Sequence, residues 1–296
     1  MASIFLLLMI GYACKKLKVL DVKDAGVVNA IVINLTLPAF IFTSVHDKPL
    51  TMGMVKAPFV GLAAQMVVIA AAYGCARLLK LNRPTTASLM LAATFGNTGY
   101  MGLPVVAAVF GGDKGSLLAA VMMDSFAMRL GLCTVGIAVV TSFAGSRFEW
   151  KNLLGFFWSP LFGAIVIGLL LRTVHIPFFL MNTLDYLGRP TVPLSMISVG
   201  LTLSAASLKD YPVAFGVAFV LKMLALPALT YLALPLLGIE HSVARVAVLE
   251  MAMPSAVFTG VIANRYGANA TFNAGAIFLT TLASVVMIPI VLMLVR

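Results

Sequence analysis

Two short motifs interrupt apolar stretches of the sequence with residues that break helices. The first is Gly-Asn-Thr-Gly-Tyr-Met-Gly-Leu-Pro, from Gly96 to Pro104, and the second is Met-Pro-Ser-Ala, from Met253 to Ala256. Proline lacks an N–H and glycine weakens a helix, so each motif should expose backbone N–H and C=O groups. Lipid cannot satisfy these groups, and breaks in membrane helices are tolerated where they line a polar cavity. Two breaks in equivalent places therefore predict a site for a transported solute.

Polar side chains at the breaks could bind that solute. Helix N-termini just past a break present N–H groups to an anion, whereas carbonyls freed by proline can bind a cation. We predict a substrate-binding set that consists of Asn34, Pro38, Gly96, Asn97, Thr98, Gly99, Pro254 and Ser255. Ser, Thr and Asn also hydrogen-bond to helix backbones, and prolines can simply kink membrane helices, so purely structural roles remain open.

Four ionisable residues, Asp124, Arg129, Lys222 and Glu250, fall within apolar stretches. Each is costly in hydrocarbon and should face a partner or water. Glu250 lies one turn before Pro254, which should free the Glu250 carbonyl, so we predict Glu250 and Asp124 as candidates for coupling to a proton or a cation. Arg129 and Lys222 could instead extend to the membrane interface, and Glu250 could lie in a water-filled entrance. The spacing of Asp124 and Arg129 allows an ion pair without requiring one.

The composition indicates a membrane protein. Of the 296 residues, 61% are hydrophobic and 10% are charged, whereas about 25% are charged in an average soluble domain. The formal net charge of +10 could suggest a nucleic-acid partner, but most of the Lys and Arg residues lie in short loops between apolar runs, as in membrane proteins. We therefore predict the lipid bilayer, and no nucleic acid, as a partner. Cys14, Cys75 and Cys133 have no metal-ligand spacing, so neither a metal site nor a cofactor is predicted.

Ten apolar segments are candidates to cross a membrane, for which a helix needs roughly 20 residues. The predicted spans are 1–17, 25–45, 55–79, 85–110, 115–142, 155–174, 182–206, 212–237, 243–266 and 271–295. The halves are weakly similar, because Leu37-Pro38 in span two corresponds to Val192-Pro193 in span seven. Five spans per half would place the second half upside down. The predicted fold is an all-α membrane protein, a single domain 1–296 with ten transmembrane helices in two inverted five-helix repeats, 1–146 and 147–296, and with discontinuous helices 4 and 9.

Positive charge predicts the orientation of these spans. With both termini outside, the inner loops carry eleven Lys or Arg residues and the outer loops carry seven. Because inner loops are enriched in Lys and Arg, this bias favours the topology with both termini outside. We therefore expect a multi-pass protein of the cytoplasmic (inner) membrane, with the loop Arg147–Lys151 on the inner side.

Other function classes find less support in the sequence. An H-E-x-x-H motif, a Gly-x-Ser-x-Gly elbow and a pair of intramembrane aspartates are all missing, so an enzyme is not predicted. A cation/proton antiporter, a channel and a non-transporting sensor remain open. The short loops offer little output surface to a sensor, and discontinuous helices favour alternating access over an open pore.

Three motifs together resemble those of a known family. Leu37–Phe42, Gly96–Pro104 and Met253–Ala256, followed by Tyr266-Gly267, are similar to the auxin efflux carrier family of bacterial permeases. The resemblance covers essentially the whole chain. It implies that the discontinuous helices 4 and 9 cross, in a fold related to bile-acid sodium symporters and sodium/proton antiporters. It also implies secondary transport of organic anions, such as malonate or malate in bacteria and auxin in plants.

The resemblance also assigns residues and narrows the substrate. Asn97 and Pro254 match the crossover positions of the family. Plant members have proline before the first crossover asparagine, where this chain has Gly96, and a long central loop that this chain lacks. Both differences disfavour auxin itself. The prediction is therefore a secondary carrier of small organic anions, with Na⁺ or H⁺ as the possible coupling ion. A homodimer is a possible assembly.

Overall fold

The computed structural model describes residues 2–46, 48–144, 155–203 and 210–295 of the chain. Within these ranges the regular structure is helical, and the only extended pairing is an isolated antiparallel bridge between Gly96 and Ser255. The prediction of an all-α protein is confirmed for the described residues. The predicted boundary between the repeats, at 146/147, lies outside them.

Helices follow one another along the chain with short connections. They are α1 (Ala2–Lys16), α2 (Asp24–Val45), α3 (Met52–Leu78), α4 (Arg83–Thr94), α5 (Thr98–Val109), α6 (Lys114–Phe143), α7 (Pro160–Leu170), α8 (Phe178–Gly188), α9 (Thr191–Thr202), α10 (Pro212–Leu237), α11 (His241–Met251), α12 (Val257–Arg265) and α13 (Ala270–Leu294). Among the described residues, α2, α3, α6, α10 and α13 are the five helices long and apolar enough to cross a membrane. Each coincides with a predicted span, which supports a multi-pass membrane protein.

Several predicted spans are divided in the structure. Span 85–110 forms α4 and α5, and span 243–266 forms α11 and α12, at the two motifs that predict a break. Span 182–206 is also divided, into α8 and α9, by a turn at Arg189 and Pro190. Pro190 has no N–H with which to continue α8. This proline therefore explains the division, which the sequence analysis did not predict.

Polar side chains cap the starts of several helices. Asn82 Oδ1 accepts a hydrogen bond from Thr85 N at 2.9 Å before α4, and the side chain of Asn269 caps α13 in the same way. Before α6, Asp113 Oδ2 accepts hydrogen bonds from the backbone N–H and the hydroxyl of Ser116, which lower the pKa of this carboxyl from its usual value. Helix starts are thus encoded locally, by residues that satisfy the first backbone N–H groups.

Wide π turns interrupt three of the membrane-length helices. They lie at Val32–Thr36 in α2, at Met123–Arg129 and Leu132–Gly136 in α6, and at Val220–Ala225 in α10. Such turns are rare in proteins and are frequent at functional sites. Asn34, Asp124, Arg129 and Lys222, which the sequence analysis singled out, all lie on them.

The chain divides into two compact units, and each contains segments of both predicted repeats. The first unit comprises Met1–Thr51, Gly99–Val121 and Leu154–Thr202. The second unit comprises Met52–Thr98, Met122–Leu153 and Leu203–Arg296. The first unit therefore contains α1, α2 and α7 to α9, and the second contains α3, α4 and α10 to α13.

Glycines allow close helix packing in the first unit. A Cβ atom at Gly11 of α1 would collide with the backbone of Ile197 in α9, and one at Gly200 of α9 would collide with the backbone of Leu8. Small residues let helix backbones approach closely, which drives helix association where lipid removes the hydrophobic effect. The two glycines therefore let the backbones of α1 and α9 pack directly against each other.

In the second unit, α4 lies at the centre. Every residue from Thr85 to Thr94 is buried, and the helix packs against α3, α6, α10, α12 and α13. The end of α4 consequently lies in protein and not in lipid. That environment permits the chain to leave the helix at Phe95, because protein groups can satisfy the freed backbone.

Candidate functional site

The two helix breaks of the second unit pair with each other. Ala256 N donates a hydrogen bond to Phe95 O at 2.9 Å, and Asn97 N donates to Pro254 O at 2.7 Å. These bonds belong to the antiparallel bridge of Gly96 and Ser255. We call the paired segments, residues 95–97 and 254–256, the crossover. Backbone groups that lipid could not satisfy are satisfied here by the other break.

Side chains from neighbouring helices complete the crossover. Ser255 N donates to Thr280 Oγ1 of α13 at 3.0 Å, and Ser255 Oγ donates to Ala92 O of α4 at 2.7 Å. Gly96 N lies 3.3 Å from Met128 Sδ of α6, a weak acceptor. Ser255, a predicted site residue, thus ties three chain segments together. The sequence analysis did not select its partner Thr280 or the sulfur of Met128.

Four helix ends meet the crossover. Helix α4 ends at Thr94 and α11 ends at Met251, while α5 begins at Thr98 and α12 begins at Val257. An N-terminal helix end carries roughly half a positive charge, and a C-terminal end carries the corresponding negative charge. Two N-terminal and two C-terminal helix ends therefore place partial charges of both signs beside the crossover.

Lys222 supplies a cation at one of the C-terminal ends. Its side chain is fully buried, and its Nζ donates to Met251 O at 2.7 Å. A Cβ atom at Gly96 would lie only 3.1 Å from this Nζ, so a glycine leaves room for the ammonium. Lys222 therefore does not extend to the membrane interface. The Glu250 carbonyl, expected to be free, accepts from Met253 N at 3.2 Å, and the carbonyl that holds the cation belongs to Met251.

A hydrogen-bonded ion pair lies at the start of α5. Thr98 Oγ1 donates to Asp124 Oδ1 at 2.6 Å, and Arg129 Nη2 pairs with Asp124 Oδ2. The side chain of Asp124 is 6% exposed and that of Arg129 is 22% exposed. The ion pair that the spacing only allowed is thus present. Asp124 has a hydrogen bond and an opposite charge, which is what a buried carboxylate needs.

Several buried polar atoms of the second unit have no hydrogen-bond partner among the described residues. They include both carboxylate oxygens of Glu250, the Asn97 Nδ2 atom and both amide atoms of Asn273. An unsatisfied buried group costs roughly 1–3 kcal/mol, so native proteins rarely keep one without a reason. Glu250 is fully buried, which does not fit a water-filled entrance, and it interacts electrostatically with Asp124 and Lys222. A solute, a water molecule or a proton could satisfy these groups.

Three residues of the predicted site, Asn34, Pro38 and Gly99, belong to the first unit. Asn34 is exposed, and its Nδ2 donates to Ala30 O of its own helix at 2.8 Å. Pro38 is half-buried and follows the π turn Val32–Thr36 in α2, and Gly99 is half-buried near the start of α5. This bond is the structural role, a hydrogen bond to a helix backbone, that the sequence left open for Asn34.

A polar face of α13 was missed in the sequence analysis. Asn273, Thr280, Thr281 and Ser284 are all buried on this otherwise apolar helix. Their spacing places them on one side of the helix, because residues three, four, seven and eight apart share a face. That spacing is the signal that could have identified Thr280 as a partner of the crossover.

No group of three or more His, Cys, Asp or Glu side chains that could hold a metal ion occurs in the part of the chain that the structure describes. The chemistry available at the crossover is that of hydrogen-bond donors, two cations and two carboxylates. Together with the membrane-length helices, this buried polar crossing defines a membrane transport protein. The family model described as "Membrane transport protein" matches residues 1–142 and 147–292. The chain belongs to this family, which is that of the auxin efflux carriers.

Similar proteins cover almost the whole chain. An uncharacterized transporter of Methanothermobacter thermautotrophicus is 31% identical over 97% of this chain and 95% of its own length. An uncharacterized transporter of Methanocaldococcus jannaschii is 30% identical over 96% of this chain and 94% of its own length. A provisionally named malonate transporter of Rhizobium meliloti is 27% identical over 99% of this chain and 93% of its own length.

Proposed function

We propose that the protein is a secondary active transporter of small organic anions, mono- or dicarboxylates such as malonate or malate, that works by alternating access. The observation that carries the proposal is the crossover. There, two helix N-termini and an Asn97 Nδ2 atom without a hydrogen-bond partner among the described residues occur together with the buried Lys222. N–H donors and positive helix ends favour a carboxylate ligand. The malonate named for the Rhizobium meliloti relative belongs to the same chemical class.

Glu250 couples this transport to a proton. Asp124 already pairs with Arg129, so Glu250 is the carboxylate that compensates Lys222. When Glu250 takes up a proton, Lys222 becomes a buried cation without a compensating charge, which is unfavourable. A substrate carboxylate supplies that charge, and proton and anion therefore bind together. The Lys222 ammonium already occupies the Met251 carbonyl, a type of ligand that a sodium ion would use, which favours a proton over Na⁺.

The proposal includes the predicted architecture. Helices α4 with α5 and α11 with α12 correspond to predicted helices 4 and 9, and the mutual pairing of their breaks supports two inverted five-helix repeats with ten transmembrane helices. Both termini lie outside the cytoplasmic membrane in this arrangement, as the Lys and Arg distribution favours.

A cation/proton antiporter is the second candidate function. The observation in its favour is the buried Glu250 carboxylate without a hydrogen-bond partner among the described residues, which could exchange a proton for a cation. Against it stand the two cationic side chains, Lys222 and Arg129, which equal the carboxylates of Asp124 and Glu250 in number. An exchanged cation would find no excess of negative charge among these four residues.

Uptake by proteoliposomes distinguishes the two candidates. The purified protein is reconstituted, a pH gradient is imposed, and uptake of labelled malonate, malate, acetate and indole-3-acetate is measured against empty liposomes. Accumulation of malonate or malate that collapses with the pH gradient is the expected result. If no anion on this panel moves while a sodium gradient alone drives proton movement, the antiporter replaces the anion carrier.

A further inference from the structure

An apolar groove lies on the surface of the second unit. It has a volume of about 310 Å³ and is lined by Met66, Ile69, Ala70, Tyr73, Met90 and Phe143, from α3, α4 and the end of α6. Met66 is 38% exposed and Tyr73 is 37% exposed, so the groove is open to the surroundings of the protein. Its walls are almost entirely hydrocarbon, which suits an alkyl chain and not a polar solute.

Two arginines contact the aromatic residues that line this groove. Arg77 Nη1 donates to the hydroxyl of Tyr73 at 3.3 Å, and the guanidinium lies 6.0 Å from the centre of the Tyr73 ring. Arg83 Nη2 donates to Ser142 O at 2.8 Å and Arg83 Nε donates to Phe143 O at 3.3 Å, and the guanidinium lies 5.9 Å from the centre of the Phe143 ring. These contacts hold both guanidinium groups near the same apolar surface.

All charged residues in the sequence around the C-terminal end of α3 are basic. Arg77, Lys80 and Arg83 are exposed, and no Asp or Glu occurs between Met52 and Thr98. Each guanidinium keeps N–H donors that the contacts above do not use, and this group binds phosphate oxygens with two parallel hydrogen bonds. The surface thus combines a hydrocarbon groove with two guanidinium groups whose remaining donors suit a phosphate. Helix α3 ends at Leu78, so the cations lie where a membrane-length helix leaves the hydrocarbon.

We propose that this groove binds one anionic phospholipid, with an acyl chain against Met66, Ala70 and Met90 and with the phosphate held by Arg77 and Arg83. Basic pockets between transmembrane helices commonly bind anionic headgroups, and each nearby cation strengthens such binding. The groove lies outside the crossover, so the proposal is independent of the transported substrate. The ligand is a constituent of the surrounding bilayer, which this protein needs in any case.

Lipid binding to the purified protein in detergent tests the proposal. Native mass spectrometry and thermal shift are measured with dioleoylphosphatidylglycerol, with dioleoylphosphatidylcholine and with glycerol 3-phosphate, a headgroup without acyl chains. The anionic lipid should bind at least about tenfold more tightly than the zwitterionic one. The double variant Arg77→Gln/Arg83→Gln should lose this preference. Ala70→Trp, which fills the groove, should weaken binding of both lipids.

Arg265→Gln is the matched control, because Arg265 is also exposed and stacks on a tyrosine, Tyr266, at 5.6 Å. It should leave the lipid preference unchanged, and all variants should elute as the wild-type protein does. Equal binding of the two lipids, or an equal loss with Arg265→Gln, overturns the proposal. Full competition by glycerol 3-phosphate would also overturn it, because the site would then be a phosphate site without a use for the groove. If self-association of the protein displaces the lipid, the groove is an interface between two copies of the chain and the lipid proposal is wrong.

Discussion

Single residues of the crossover divide into those that hold it together and those that are available to a solute. Ser255 uses both its N–H and its hydroxyl in hydrogen bonds, to Thr280 and Ala92. Asn97 uses its backbone N–H in the pairing, but its Nδ2 has no partner among the described residues. The two residues occupy equivalent breaks and should nevertheless respond differently to substitution.

Asn97→Ala should weaken substrate binding without weakening the fold. The substitution removes an amide donor that has no protein partner, so no hydrogen bond of Nδ2 within the protein is lost. A hydrogen bond to a charged group contributes about 1.5–3 kcal/mol, so the affinity for malonate should fall by about tenfold or more. Malonate binding by scintillation proximity and thermal unfolding of the same sample measure the two effects separately.

Asn264→Ala is the control for this substitution, because Asn264 is an exposed asparagine on α12. It should change neither malonate affinity nor the unfolding temperature. Wild-type affinity in a well-folded Asn97→Ala protein would remove Asn97 from the substrate site.

Ser255→Ala should reduce stability and transport together. It deletes the hydrogen bond to Ala92 O and leaves that carbonyl without this partner, which costs about 1 kcal/mol of the free energy of unfolding. Since the same bond ties the crossover to α4, malonate uptake should fall as well, while membrane insertion persists. Ser142→Ala, which removes an exposed hydroxyl bonded within its own helix, should affect neither. An unfolding temperature equal to that of the wild type would show that the bond does not support the crossover.

Glu250→Gln should flatten the pH dependence of transport. The variant keeps the shape of the side chain but cannot exchange a proton, and it stays uncharged beside Lys222 of α10 and Asp124 of α6 at every pH. In the wild-type protein, malonate uptake should rise as Glu250 becomes protonated. Uptake by reconstituted protein, measured across a pH series with a fluorescent proton indicator inside the liposomes, reports both anion and proton. A variant that retains the wild-type pH profile would exclude Glu250 as the proton site, and Asp185→Asn, at an exposed carboxylate of α8, should retain it.

Helices and their breaks show which features of this molecule are readable from its sequence. The breaks at Gly96 and Pro254 are local consequences of glycine and proline, and the spans that became α3, α10 and α13 follow from apolar length. The partners across the crossover depend on contacts between distant parts of the chain. Nothing in the neighbourhood of Lys222 indicates that its Nζ meets the Met251 carbonyl, so its burial could not be predicted.

From the helix packing in the first unit, we expect alanine substitution at two glycines to change thermal stability in different ways. Gly200→Ala should lower the unfolding temperature, because its Cβ would collide with the backbone of Leu8 in α1. Gly26→Ala should leave it unchanged or raise it, because a Cβ there meets nothing within 4 Å and alanine favours a helix by up to about 1 kcal/mol. Thermal unfolding of the two variants in the same detergent gives the comparison. A stable Gly200→Ala protein would show that α1 and α9 do not need their close approach.

The molecule as a whole carries a charge asymmetry that predicts its orientation in the membrane. Its formal net charge is +10, and Arg77 at the end of α3, Lys80 in the connection and Arg83 at the start of α4 form a basic cluster. Lys and Arg are retained on the cytoplasmic side, so this connection should lie inside and the connection after α7, at Arg172, should lie outside. Both Lys80 and Arg172 are exposed, and each can therefore report its side of the membrane.

Labelling of single cysteines tests this orientation. In a variant whose Cys14, Cys75 and Cys133 are replaced by serine, Arg172→Cys should react with a membrane-impermeant maleimide in intact cells. Lys80→Cys should react only after the cells are permeabilised, because the intact membrane keeps the reagent from the inner side. Permeabilised cells, in which both positions should react, confirm that each cysteine is accessible. The opposite pattern would place the basic connection outside, and both termini would then lie in the cytoplasm.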